Sequence, residues 1–121
     1  MGNPVDEPFF ARLAQLHAQF VDALPDTLAR LAAACARLDP CPPEAAALDE
    51  ARALLYVLAG SAPTFGLREL GGQARALEQR LRVLTAFETV GPADWRAWTA
   101  DVDAFVLWAG LCGASSTNKP G

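Results

Sequence analysis

Apolar residues in this chain return at three- and four-residue steps through four successive stretches, and that period limits the fold more than any other feature. The first stretch runs Leu13, Leu16, Phe20, Leu24, Leu28, Leu31, Cys35 and Leu38. The second holds Leu48, Ala51, Leu55, Leu58 and Ala62, and the third Leu67, Leu70, Ala74, Leu77, Leu81 and Leu84. The fourth carries Trp95, Trp98, Val102, Phe105, Ala109 and Cys112. Isoleucine is absent and Val and Thr are scarce beside Ala and Leu, a balance that favours helix over sheet. A chain of 121 residues, 52% of them hydrophobic, is large enough for one core and too small for two.

Prolines and glycines punctuate the pattern. Pro25 falls inside the first stretch, where it removes a backbone donor and crowds the preceding turn, so a kink or break is expected there. Asp39-Pro40-Cys41-Pro42-Pro43 ends that unit, and Pro43 suits the first position of a second helix running from about residue 43 to 62. A short turn, Pro63 to Gly66, leads to the third helix. Gly91-Pro92 opens the fourth, with Asp94 at the positive end of its dipole. Short links between amphipathic helices force antiparallel neighbours. The reading is therefore an all-α, up-down four-helix bundle, with Phe9 to Leu24 capping one end or extending the first helix. The bundle should occupy residues 1–112, and the small polar residues of 113–121 read as a disordered tail or linker.

Several functions are disfavoured. The net charge of −4 comes with no basic stripe, which argues against nucleic acid. No apolar run is long enough to span a bilayer and the N-terminus is acidic rather than basic, so a soluble, cytoplasmic chain is expected. Cys35, Cys41 and Cys112 lack CxxC spacing. Cys35 and Cys112 fit the core, and Cys41 sits undecided in the proline-rich loop. His17 is the only histidine and reads as part of a solvated face, so no metal site is expected and no cofactor is implied.

At about 100° per residue, Tyr56 points roughly 120° away from the centre of the second helix's apolar face. Its helical neighbours include Asp49, Arg52, Ala53, Ala59, Gly60 and Pro63, a small and apolar set for an exposed surface. Gly60 inside a helix costs about 1 kcal/mol relative to alanine, which asks for a packing or contact reason. Gly71-Gly72 reads as a close helix approach in preference to a hinge. Arg75, Arg80 and Arg82 with Glu69 and Glu78 read as an ordinary charged face.

The segment from Leu54 to Gly66 resembles the signature of histidine phosphotransfer domains, the helical bundles that relay phosphoryl groups in two-component signalling. That signature runs His, any residue, Leu, Lys, Gly, Ser, Ala, and this chain reads Tyr56, Val57, Leu58, Ala59, Gly60, Ser61, Ala62. The Ala74 to Glu78 pattern also fits, and the resemblance extends over roughly Phe9 to Leu111. It implies the four-helix fold and, as partners, the receiver domain of a response regulator or a histidine kinase. The phospho-accepting histidine is replaced by Tyr56 and the lysine one turn later by Ala59, so the resemblance implies no catalytic residue here. The expectation is a non-catalytic partner-binding or regulatory module, its docking residues Tyr56, Ala59, Gly60, Arg52, Ala53 and Pro63. Two alternatives stay open: a relay protein with an unrecognised acceptor, or a structural or dimerisation module of a larger signalling protein.

Overall fold

A computed structural model describes residues 6–38, 44–86 and 91–117, and among these it contains four α-helices and no strand. Helix α1 spans Asp6–Ala36, α2 Ala45–Ser61, α3 Arg68–Ala86 and α4 Pro92–Thr117. Each helix packs against its neighbours in sequence, and α1 closes the ring against α4. Arg37, just past the end of α1, pairs with Glu44 and Glu50 at the start of α2, at 3.6 and 3.3 Å, which fixes the two helices as antiparallel. The expected up-down bundle is therefore present.

Pro25 does not break α1. Losing one backbone bond and accommodating the ring costs about 3 kcal/mol. Leu24, Leu28 and Leu31 on either side are all buried in the same core, and each contributes about 1.5–3 kcal/mol by burial. Continuity of the core face therefore outweighs the proline, whose own ring is exposed. Residues 7–19 extend α1 beyond the bundle instead of folding over its end. Leu13 and Leu16 are consequently exposed and Phe20 only half-buried, although their spacing matches the core period.

The link between α2 and α3 shows how local sequence sets the hairpin. Ala62 ends α2, Pro63–Phe65 form a single 3₁₀ turn, and Gly66 takes the left-handed conformation at φ +83°, which an L side chain rarely adopts. Gly71 then lets the two helices close. A Cβ there would lie 2.6 Å from both Cγ and Cδ of Pro63. Close approach is the role of Gly71, whereas Gly72 faces open space.

Trp98 is fully buried and its indole Nε1 donates to the carbonyl of Leu77 at 3.0 Å, pinning α4 to α3. Trp95, Val102, Phe105 and Ala109 complete the buried face of α4. At its start, Asp94 Oδ2 accepts from the Gly91 N–H at 3.1 Å. Cys35 is a core residue, its thiol pushed up to about 12 by burial, with the Asp103 carboxylate adding to the effect. Cys112 lies at the edge of the core and is only half-buried, its thiol raised by burial and then by Glu69. Helix α4 runs on to Thr117, across the boundary at which the tail was expected to begin. Cys41, Pro43 and residues 118–121 lie outside the described residues.

Candidate functional site

Midway along the α2–α3 hairpin the two helices enclose a surface recess of about 280 Å³. Tyr56, Ala59 and Gly60 line it from α2, and Arg75, Glu78, Gln79 and Arg82 from α3. Tyr56 is 67% exposed, which agrees with its lateral position on the helical wheel. Gly60 is exposed as well, and nothing approaches within 4 Å of the place its Cβ would occupy.

Ala59 departs from the expectation of an exposed docking residue. It is buried among the core residues, because α2 packs against both α1 and α3 and needs a broader apolar face than one helix wheel assigns. Leu54, missing from the expected core, is buried for the same reason. Ala59 thus lines the recess with little more than its methyl group. Arg52, Ala53 and Pro63 do not line the recess. Arg52 is half-buried with its Nε lacking a hydrogen-bond partner, Ala53 is exposed, and Pro63 is seated against Gly71.

The α3 side supplies the charge. Glu78 is only 6% exposed, a rare state for a carboxylate unless it is paired. Arg82 meets that need: its Nη2 and Nε lie 2.8 and 2.9 Å from Glu78 Oε1. Arg75 makes no salt bridge among the described residues. Glu78 therefore consumes the charge of Arg82, and Arg75 leaves the recess net positive on a protein of net charge −4. By sequence alone Arg75, Glu78 and Arg82 belong to an ordinary charged face, and Gln79 carries no signal. Nine steps back from Phe65 and nine on from Gly66 reach Tyr56 and Arg75, so the hairpin register held the missing signal.

His17 is elsewhere, exposed on α1 and stacked on Phe65 with ring centroids 5.5 Å apart. No cluster of three or more His, Cys, Asp or Glu side chains suited to a metal occurs among the described residues. No described helix is long and apolar enough to cross a membrane.

Comparison with known families gives a match to the Hpt domain over residues 15–106, which takes in most of α1, all of α2 and α3, and α4 as far as Val106. The chain belongs to the Hpt family. Comparison with curated proteins gives no match, and neither does comparison with solved structures. Hpt domains are phosphotransfer modules of phosphorelay signalling that interact with kinases and receiver domains, and they are not classical enzymes. The matched span contains both helices of the recess. It begins at Gln15 and so leaves out the first part of α1.

Proposed function

We propose that this Hpt domain carries no phosphoryl group and works as a docking module, binding a receiver domain or a histidine kinase through the face centred on Tyr56 and Gly60. Chemistry argues against relay. A phenol cannot form the labile phosphoramidate on which a histidine relay depends, and the methyl group of Ala59 offers no ammonium to the transferring charge. The only imidazole in the chain is committed to a stack on Phe65, away from the recess.

The observation that carries the docking reading is Gly60. A glycine within a helix costs about 1 kcal/mol relative to alanine and is retained where something must come close. Among the described residues nothing does. The close approach it permits would come from a partner, with the Tyr56 ring beside it as a large apolar anchor of the kind that dominates interfaces.

The test is binding and transfer measured together. Incubation with a phosphorylated receiver domain should leave the chain unlabelled while calorimetry detects complex formation. Gly60→Arg should abolish that complex without lowering the melting temperature, and Tyr56→Ala should weaken it. Binding should survive replacement of the receiver's phospho-accepting aspartate by alanine. Acid-labile label on the chain, lost in His17→Ala, would establish a relay instead. Receivers and kinases that all bind the Gly60→Arg and Tyr56→Ala variants as well as the parent would move the functional surface elsewhere.

A further inference from the structure

The first part of α1 stands apart from everything described so far. Every residue from Glu7 to Gln19 is exposed, more than three turns of helix whose one aromatic contact with the bundle, among the described residues, is the stack of His17 on Phe65. An isolated helix of that length is marginal in water. The segment is nevertheless rich in large apolar side chains: Phe9 is 60% exposed, Phe10 61%, Leu13 36% and Leu16 42%. Together these leave on the order of 400 Å² of apolar surface in water, enough to mark an interaction site on a small protein. Phe9, Phe10 and Leu13 also precede the span matched by the family, so the Hpt fold does not account for them.

We infer that this overhang pairs antiparallel, about a two-fold axis, with the same segment of a second copy of the chain. Three observations choose a second copy as the occupant. Phe9, Leu13, Leu16 and Phe20 follow one another at steps of four, three and four, the seam of a coiled coil, and an identical helix satisfies that seam. In the antiparallel register Phe9 meets Phe20 of the second copy and Leu13 meets Leu16, so all four positions are filled in both chains. Phe9 then reaches the end of the other bundle, where Phe20 already packs on Phe65 with centroids 5.2 Å apart.

Charge supports the same choice. Between residues 7 and 20 the formal charges are Glu7 and Arg12, which cancel, in a chain whose net charge is −4. Two identical acidic molecules therefore meet along a segment that carries no net charge of its own. The buried area supplies the strength. Twelve residues of paired helix and the tip contacts bury roughly 800–1,000 Å² in total, below the standard interface, so a weak, micromolar association is expected.

Sedimentation velocity and light scattering on the whole chain, followed by a distance measurement, test this. The parent should pass from monomer to dimer across the micromolar range. A Phe9→Gln, Leu13→Gln, Leu16→Gln variant should stay monomeric with an unchanged melting temperature, because none of the three belongs to the bundle core. With Cys41 and Cys112 changed to Ser, spin labels on Glu7→Cys should lie about 25 Å apart in the antiparallel dimer, against about 10 Å in a parallel one, given 1.5 Å of rise per residue. A parent that remains monomeric up to ~0.5 mM overturns the inference, since a micromolar association would be evident there. So does a dimer that survives the triple substitution, or a label separation near the parallel value.

Discussion

Gly60 and Gly71 sit on the two helices of one hairpin and are glycines for opposite reasons. A Cβ on Gly71 would strike the Pro63 ring at 2.6 Å, so its bareness is demanded by the fold. Gly60 has nothing within 4 Å, so the fold makes no such demand of it. The same division separates the two arginines of the recess. Arg82 neutralises the buried Glu78, whereas Arg75 makes no salt bridge among the described residues. One member of each pair serves the molecule's own packing, and the other is available to something outside it. Composition cannot make this distinction, because it depends on what lies opposite each residue.

The sharpest way to break the comparison is to fill Gly71. Gly71→Val forces either the Pro63 ring or the α3 backbone to move, and overpacking of this kind costs about 1–3 kcal/mol. Thermal and urea unfolding should both register the loss. If the variant melts with the parent, the close approach at the turn is slack and the contrast with Gly60 fails.

Removing the arginines one at a time comes next. Arg82→Ala strands a buried carboxylate, and since Arg82 itself is largely exposed the loss should be about 1–2 kcal/mol, less than for a fully buried pair. Arg75→Ala should change stability by no more than about 0.5 kcal/mol, as exposed substitutions without a partner do. Its effect should appear in partner binding, as a weaker complex with a shallower salt dependence. Equal destabilisation by both substitutions would erase the division.

Much of this was legible in the sequence because the fold rests on short-range signals. The period of Leu24, Leu28 and Leu31, the Pro63 to Gly66 turn and the Gly91-Pro92 start are each local, and the structure keeps all of them. Tyr56 was located correctly because one helix wheel suffices for a residue pointing outward. What a single helix cannot reveal is its neighbour. The α3 half of the recess depends on hairpin register, and the burial of Ala59 depends on α2 serving two partners at once. Leu13 and Leu16 continue the core period faithfully, yet they lie where α1 has outrun the bundle. Periodicity records that a face is apolar and leaves open what covers it.

The smallest expected effect is also the most discriminating. Gly60→Ala adds one methyl group into open space on an α-helix, so no contact among the described residues opposes it. Restricting the unfolded chain and improving helix propensity should then stabilise the protein by about 0.5–1 kcal/mol, the reverse in sign of filling Gly71. For a domain of this size that corresponds to a rise of roughly 2–6 °C in melting temperature. If the glycine is retained for a partner's close approach, the same substitution should weaken binding several-fold while it strengthens the fold. Stabilisation without any loss of binding would leave Gly60 with no docking role. A destabilised Gly60→Ala would mean that the α2 backbone needs glycine there for itself, and the contrast between the two glycines would collapse.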